Sequence, residues 1–229
     1  MENLLEVTQI ETFYGPSQAL FGVDLAVGRG EVVALMGRNG MGKSTTIASI
    51  CGLEQYVRGS ITFNGTDLGS LPSHKIARLG VGLVPEGRRC FPNLTVYENL
   101  IAAARPGNWT LTRVNALFPR LRERYKQYAN TLSGGEQQML AVGRALTTNP
   151  SLLILDEATE GLAPVIRNEI WQSIRDLKAE GQSILIVDKT LSELKPIADK
   201  CVILEKGQTV WQGKSEDLTR DLENRFLGV

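Results

Sequence analysis

A glycine-rich segment directly after an apolar run constrains the fold of this chain more than any other feature. Residues 37–45 read G-R-N-G-M-G-K-S-T and fit the pattern G-x-x-x-x-G-K-[ST], after a strand predicted over Glu31–Met36. Glycines let the backbone wrap closely around a phosphate chain, with N–H groups pointing inward. The helix predicted to begin at Lys43 adds the positive end of its dipole. The segment therefore predicts a phosphate-binding loop between a strand and a helix.

The side chains of this loop have separate predicted roles. Lys43 would bring its positive charge to the β- and γ-phosphates, and the Ser44 hydroxyl would bind Mg²⁺. The other residues predicted to contact a nucleotide here are Gly37, Asn39, Gly40, Gly42 and Thr45. A chance glycine-rich turn is the alternative, and the strand–loop–helix order around the motif argues against it.

The rest of the chain alternates short apolar runs with helical patterns, which predicts an α/β domain. Leu152–Leu155 and Ile184–Val187 are unbroken apolar runs, as expected of parallel strands covered on both faces. Asn64-Gly65 and Lys206-Gly207 are typical of hairpin turns, so part of the sheet should be antiparallel. Strands are predicted over Leu4–Glu11, Ala19–Val27, Glu31–Met36, Ser60–Phe63, Val81–Val84, Leu152–Leu155, Ser183–Val187, Cys201–Glu205 and Thr209–Gln212. Helices are predicted over Lys43–Cys51, Thr95–Ala103, Thr112–Tyr125, Glu136–Thr147, Val165–Ala179, Leu191–Ala198 and Glu216–Phe226.

Residues 91–130 differ from the sequence on either side. They contain no strand signal, a break at Pro106-Gly107 and a basic stretch over Arg120–Arg124. We predict one domain over residues 1–229, with an α/β core (1–90 and 131–229) and a small helical insert (91–130). The predicted core is a P-loop NTPase with a mostly parallel central sheet and an antiparallel portion. The basic stretch is either a solvated helix face or a contact for an acidic groove in a partner.

Two adjacent carboxylates end the apolar run that begins at Leu152. Neighbouring side chains of a strand point to opposite faces, so Asp156 and Glu157 cannot share one role. Asp156 is predicted to bind Mg²⁺, and Glu157 is predicted to polarise the water that attacks a γ-phosphate. An acidic strand end can also serve as a helix cap, but the phosphate loop upstream favours the catalytic interpretation.

A third motif, L-S-G-G-E-Q, covers residues 132–137 and comes directly before an apolar helix. Ser133 and Glu136 have the spacing of a capping box, which would by itself explain both residues. Gly134 and Gly135 would also expose free N–H groups at a helix N-terminus, which is a site for an anion. The same helix start can serve both purposes.

These three motifs, in this order and spacing, resemble those of ATP-binding-cassette ATPases, and the resemblance covers essentially the whole chain. It implies that the chain binds ATP and Mg²⁺ and forms a head-to-tail dimer with a second ATPase subunit. In that dimer, residues 133–136 of one chain would close on the ATP held by Lys43 of the other. It also implies transmembrane permease subunits as partners and, indirectly, a solute-binding protein. Tyr14 falls where the family stacks an aromatic ring on adenine; the alternative is an ordinary tyrosine at a strand end.

A narrower resemblance lies in three further segments, V-P-E-G-R (84–88), L-T-V-Y-E-N-L (94–100) and E-G-L-A-P (160–164). They are similar to segments of the second ATPase subunit of importers for branched-chain amino acids, urea or amides. The resemblance implies an ATP-hydrolysing motor of such an importer, but it does not identify the solute, and import itself depends on this resemblance.

Two positions differ from the general family pattern. Glu86 stands where most members have a Gln that contacts Mg²⁺ and the attacking water, and a carboxylate can serve as such a ligand. Lys189 stands where the family usually has a His that hydrogen-bonds the γ-phosphate. An ammonium donates to phosphate but cannot accept a hydrogen bond as neutral imidazole does. We expect either slow hydrolysis or pairing with a different ATPase, unless Lys189 is simply a solvated loop residue.

The composition removes several other classes of protein. The 25 basic and 25 acidic residues balance, so the chain lacks the charge of a dedicated nucleic-acid binder. A single histidine, His74, excludes zinc sites that need two imidazoles. No apolar run approaches the ~20 residues that span a bilayer, and the first residues do not resemble a signal peptide. We therefore expect a cytoplasmic protein, held at the inner face of the cell membrane by its permease.

Two alternatives to a transport motor remain at this stage. The first is a soluble cassette ATPase that acts on ribosomes or DNA, which the balanced charge and the single cassette disfavour. The second is a subunit that binds ATP and dimerises but barely hydrolyses it. Lys189 favours this second alternative, and Glu157 argues against it.

Overall fold

Two β-sheets organise residues 3–228, the part of the chain that the computed structural model describes; Met1, Glu2 and Val229, at the ends of the predicted domain, lie outside it. The strands are β1 (Asn3–Tyr14), β2 (Ser17–Gly28), β3 (Val32–Met36), β4 (Tyr56–Phe63), β5 (Thr66–Asp67), β6 (Val81–Val84), β7 (Leu152–Asp156), β8 (Ser183–Val187), β9 (Lys200–Glu205) and β10 (Gln208–Lys214). One sheet is antiparallel, with the order β2-β1-β4-β5. The other has the order β10-β9-β3-β8-β7-β6 and is parallel from β9 to β6. The predicted mostly parallel sheet with an antiparallel portion is confirmed.

Helices connect the strands of the parallel sheet and cover it. They are α1 (Lys43–Ile50), α2 (Ser73–Leu79), α3 (Val96–Ile101), α4 (Leu111–Leu117), α5 (Pro119–Glu123), α6 (Gly134–Thr147), α7 (Pro164–Ala179), α8 (Leu191–Ile197) and α9 (Arg220–Leu222). Short 3-10 helices cover Ala129–Thr131 and Ser215–Asp217, and a π-helical turn covers Glu223–Leu227. Helices α3, α4 and α5 lie within the segment for which the sequence predicted a helical insert. None of the helices in residues 3–228 is long and apolar enough to cross a membrane.

Successive side chains of β3 belong to two different apolar clusters, one on each face of the strand. Val32, Ala34 and Met36 belong to a buried cluster with α6 and α7. Val33 and Leu35 belong to a second cluster, formed with α1 and the antiparallel sheet. Successive side chains of a strand point to opposite faces, so β3 is buried on both sides. This packing fixes the strand end at which the glycine-rich loop begins.

Two predicted helices are wrong in detail. The helix predicted over Thr112–Tyr125 is divided into α4 and α5, because Phe118, which precedes Pro119, leaves the helical conformation with φ −130° and ψ 76°. The tail helix predicted over Glu216–Phe226 is a 3-10 turn, the three-residue α9 and a π-helical turn. Helix α2, in which Ile76 is the buried residue, was not predicted from the sequence.

The predicted hairpin turns at Asn64-Gly65 and Lys206-Gly207 are confirmed. Each joins two antiparallel strands, β4 with β5 and β9 with β10. In each turn both residues have positive φ, which is the geometry of a type I′ turn and explains the glycine at the second position.

Candidate functional site

The candidate site lies at the carboxyl ends of three neighbouring parallel strands. β3 ends at the glycine-rich loop, β7 ends at Asp156, and β8 is followed by residues 188–190. Parallel strands end at the same edge of a sheet, so these segments meet around one cleft, the usual place for a ligand in such sheets. The cleft has a volume of about 500 Å³ and is lined by Gln18, Ala19, Phe21, Asn39, Gly40, Gly42, Lys43, Ser44, Thr45, Glu86, Glu157, Glu160, Lys189 and Lys206.

The glycine-rich loop curls around the side chain of its own lysine. Nζ of Lys43 donates hydrogen bonds to the carbonyl oxygens of Gly37 (2.7 Å) and Arg38 (2.9 Å). Gly37 has φ 143°, and a Cβ there would lie 2.5 Å from the carbonyl oxygen of Leu204, so no side chain fits. Burial lowers the pKa of Lys43, and the charge of Glu157 opposes that shift. Two backbone carbonyl groups of the loop therefore hold the ammonium.

Asp156 and Ser44 form the part of the cleft that suits a divalent cation. Asp156 is buried, and its Oδ1 has no hydrogen-bond partner among the described residues. Burial raises the pKa of Asp156, and a hydrogen bond from Ser44 opposes the shift. A buried, unsatisfied carboxylate oxygen next to a hydroxyl is the hard oxygen environment that Mg²⁺ prefers. The donors present at this point therefore fit Mg²⁺.

Glu157 leaves the strand in a left-handed conformation, with φ 50°. Its N–H donates to the carbonyl oxygen of Val187 (2.8 Å), which ties the end of β7 to the end of β8. Its side chain is 12% exposed and opens into the cleft. Burial and the contact with Glu160 raise the pKa of Glu157, while Lys189 opposes the shift. A carboxylate with a raised pKa, held at the rim of a phosphate loop, can accept a proton from water.

Three carboxylates meet at this rim. Oxygens of Glu86, Glu157 and Glu160 lie within 4.8 Å of one another. Lys189 contacts two of the three, with its Nζ 3.1 Å from Glu157 Oε2 and 2.6 Å from Glu160 Oε1. Glu86, Glu157 and Lys189 were predicted from the sequence as site residues, whereas Glu160 was noted only as the first residue of the E-G-L-A-P segment and was given no role in the site.

The aromatic ring that lines the cleft belongs to a residue other than Tyr14, whose predicted stacking on adenine stays a prediction. Tyr14 lies at the end of β1, half exposed, with its hydroxyl 3.5 Å from Thr45 Oγ1, and it is outside the set of lining residues. Phe21 of β2 lines the cleft instead, with 45% of its surface exposed. Lys206, in the turn between β9 and β10, lies at the same wall. In the sequence, Phe21 is in phase with the buried apolar residues that follow it in β2, so the alternation gave no signal of its exposure.

Residues 133–136 form the start of α6, away from the cleft of the same chain. The Ser133 hydroxyl accepts from the N–H of Glu136 (3.4 Å), and Oε2 of Glu136 accepts from the N–H of Ser133 (2.9 Å). The predicted capping box is therefore present. Arg124 of the helical segment also forms an ion pair with Glu136. A Cβ on Gly134 would lie 2.4 Å from the guanidinium of Arg88, so this side chain covers the start of the helix.

Comparisons with known proteins agree with this geometry. The family described as "ABC transporter" matches residues 20–160. The chain is 45% identical to the high-affinity branched-chain amino acid transport ATP-binding protein BraG of Pseudomonas aeruginosa, over 90% of this chain and 91% of that protein. It is 35% identical to the probable branched-chain amino acid transport ATP-binding protein LivF of Archaeoglobus fulgidus, over 94% of both chains. Among solved structures, the ADP conformation of an ATP-binding cassette of an ABC transporter superposes with a TM-score of 0.84 and 25% identity, covering 98% of this chain and 96% of that one.

Proposed function

Because the chain belongs to the ABC transporter family, whose ATP-binding cassettes hydrolyse ATP to power transport, we propose that it is the motor subunit of an importer for branched-chain amino acids. Both BraG and LivF are named as branched-chain amino acid transport proteins, which supports the solute class. The observation that carries the catalytic assignment is that Lys43, Ser44 and Glu157 line one cleft and that Asp156 is hydrogen-bonded to Ser44.

Binding of ATP would exchange the hydrogen-bond partners of the loop. The N–H groups of residues 39–45 surround the phosphate chain, and Lys43 leaves its backbone carbonyls for the β- and γ-phosphates. Ser44 and Asp156, with Glu86 at the rim, would hold Mg²⁺, which supplies positive charge against the phosphate oxygens. Phe21, and Tyr14 beyond Thr45, are the aromatic side chains available to the adenine.

Hydrolysis would then depend on Glu157. Its carboxylate orients a water molecule and takes its proton while the water oxygen bonds to the γ-phosphorus. The bond between the γ-phosphorus and the bridging oxygen breaks, leaving ADP and inorganic phosphate. Burial helps this step because it raises the pKa of Glu157 toward the range in which a carboxylate accepts protons well.

A second ATPase subunit would complete the site. In the proposed head-to-tail dimer, Ser133, Gly134 and Gly135 of one chain face the γ-phosphate bound by the other. Support comes from the position of α6, whose N-terminus does not line the chain's own cleft. The capping box holds this helix start in one conformation before the partner arrives.

The permease would contact a groove between the α/β core and the helical segment. This groove has a volume of about 400 Å³, and its walls include Leu53, His74, Ile76, Phe91, Arg105 and Arg144. Leu53 and Phe91 are 58% and 48% exposed, so the groove presents apolar surface with a basic rim. We propose that a short helical segment of the permease with acidic ends binds there. This contact would hold the protein at the cytoplasmic face of the membrane, and a solute-binding protein would be an indirect partner.

One titration of activity separates this function from its rival. The rival is a subunit that binds ATP and dimerises with little turnover, and the ion pair between Lys189 and Glu157 favours it. We would measure Mg²⁺-ATP turnover over a wide range of chain concentration, with Glu157→Gln as the blank. The matched control is Glu216→Gln, the same substitution at an exposed glutamate that pairs with Lys214. We expect specific activity to rise with concentration in wild type and control and to vanish in the blank. Flat activity at the level of the blank, with ATP bound, would favour the rival.

The solute class needs a separate assay. Vesicles that contain the chain with its permease and solute-binding protein should accumulate leucine when ATP is present inside, and the Glu157→Gln variant should not. Accumulation of urea or an amide in place of leucine would overturn the proposed solute class and leave the motor function intact.

A further inference from the structure

Three carboxylates lie close together at the rim of the cleft. Glu86, Glu157 and Glu160 have oxygens within 4.8 Å of one another, and a γ-phosphate would add further negative charge beside them. Within residues 3–228, Lys189 is the only side chain that forms ion pairs with these carboxylates. The affinity of the site for a triphosphate therefore depends on where this ammonium stands.

The two contacts of Lys189 are unequal. Its Nζ lies 2.6 Å from Glu160 and 3.1 Å from Glu157, so Glu160 is the nearer anchor. A lysine ammonium sits on a flexible four-carbon chain with a high rotational entropy, unlike a ring held directly on its Cβ. Such a cation needs a fixed acceptor if it is to stay in one place.

The loops on which the two residues stand are joined to each other. The hydroxyl of Thr159 donates to Asp188 Oδ2 (2.5 Å), and Oδ1 of Asp188 accepts from the N–H of Thr190 (2.9 Å). Glu160 follows Thr159, and Lys189 follows Asp188. The hydrogen bond between the loops therefore sets Glu160 opposite Lys189, on the side of the cleft where Glu157 lies.

We propose that Glu160 is a positioning residue, which holds the Lys189 ammonium at the γ-phosphate end of the cleft and so makes the site prefer ATP over ADP. The proposal rests on the proposed function. Glu160 acts through Lys189 and does not touch the nucleotide. Its own charge opposes phosphate binding, so its net effect on affinity depends on whether Lys189 is present.

The proposal can be tested because the effect of Glu160→Gln on nucleotide affinity should have opposite signs with and without Lys189. We would measure by calorimetry the affinity of the full chain for ADP and for an ATP analogue with an imido β–γ bridge, both with Mg²⁺. In the wild-type background, Glu160→Gln removes the anchor, and we expect binding of the analogue to weaken about threefold. In a Lys189→Gln background, Glu160→Gln removes only repulsion, and we expect binding of the analogue to strengthen. Affinity for ADP should stay within about twofold throughout, because ADP has no γ-phosphate for the pair to meet.

Two results would overturn the proposal. Strengthened binding of the analogue in both backgrounds would mean that Glu160 acts only through its charge. No change in either background would mean that the pair is an ordinary surface ion pair, which usually contributes little. Two variants of an exposed ion pair control for the changes in net charge: Glu216→Gln matches Glu160→Gln, and Lys214→Gln matches Lys189→Gln.

A separate variant distinguishes failure of this inference from failure of the proposed function. Lys43→Ala should abolish binding of both nucleotides. If Lys43→Ala binds them as wild type does, the assignment of the whole cleft is wrong. If Lys43→Ala fails to bind but the change of sign is absent, only the role of Glu160 is wrong.

Discussion

Replacing Gly135 by alanine tests why the start of α6 carries two glycines. A Cβ on Gly135 would lie 2.4 Å from Cγ2 of Ile166 in α7, and 3.1 Å from its Cγ1. Unstrained carbon contacts are about 3.5–4.0 Å, so the overlap exceeds about 1 Å. Overpacking of this kind costs about 1–3 kcal/mol, and alanine recovers about 0.5–1 kcal/mol of helix propensity. The difference is an expected net loss of about 0–2.5 kcal/mol, centred near 1 kcal/mol, in the free energy of unfolding measured in urea.

Gly134→Ala is the matched control. A Cβ there meets only the guanidinium of Arg88, the free end of a flexible side chain that can move aside. We therefore expect Gly134→Ala to leave the free energy of unfolding unchanged or slightly raised.

A second-site variant carries the same reasoning to activity. Ile166→Ala removes both γ-carbons that the new methyl group would meet, so Gly135→Ala should cost less in that background. Alanine keeps the backbone N–H, so ATPase activity lost in Gly135→Ala should return in part in the double variant. Equal stability of the two single alanine variants, or strictly additive effects with Ile166→Ala, would refute the steric explanation.

Two further predictions concern buried carboxylates. Burial raises the pKa of Asp156, so its ionised form destabilises the fold at pH values above the ordinary carboxyl range. Asp156→Asn should therefore raise the free energy of unfolding at pH 7 without nucleotide, and this gain should vanish near pH 4. The same substitution should abolish ATPase activity. A less stable Asp156→Asn at pH 7 would contradict this sign. Burial opposes ionisation of Glu136, but the hydrogen bonds from Ser133 and the charge of Arg124 outweigh it and lower the pKa of Glu136. The ionised Glu136 therefore stabilises the fold above about pH 4.3, and this stabilisation is lost as the pH falls below that value. Glu136→Gln should therefore reduce the pH dependence of unfolding between about pH 6 and 3, and an unchanged pH profile would count against the capping role.

The sequence predicted those parts of the fold that local patterns determine. Leu152–Leu155 and Ile184–Val187 were recognised as central strands because burial on both faces requires unbroken apolar runs. Helix α2 was missed because burial of Ile76 alone leaves no apolar periodicity to detect. The tail was misjudged because Leu218 and Phe226 are buried by tertiary contacts that no regular helix provides.

The residues of the site likewise divide into those that local motifs predict and those that tertiary contacts bring in. Lys43, Ser44, Asp156 and Glu157 lie in contiguous motifs, so their positions could be assigned from sequence. The cleft-lining side chains of β2 and of the turn between β9 and β10 enter the cleft because separate strands meet there. Sequence spacing carries no information about that meeting. The position of Lys189 could be identified by resemblance, but its carboxylate partners could not.

The hydrogen bonds of Lys43 to its own loop bear on the state of the site once its spent nucleotide has left. When ADP leaves, the ammonium passes to the carbonyl oxygens of Gly37 and Arg38 and does not face an apolar wall without a partner. Release of ADP thus exchanges one set of hydrogen-bond partners of Lys43 for another, so the buried ammonium is not left unpaired. These two hydrogen bonds therefore stabilise the empty site and keep the loop in shape for the next ATP.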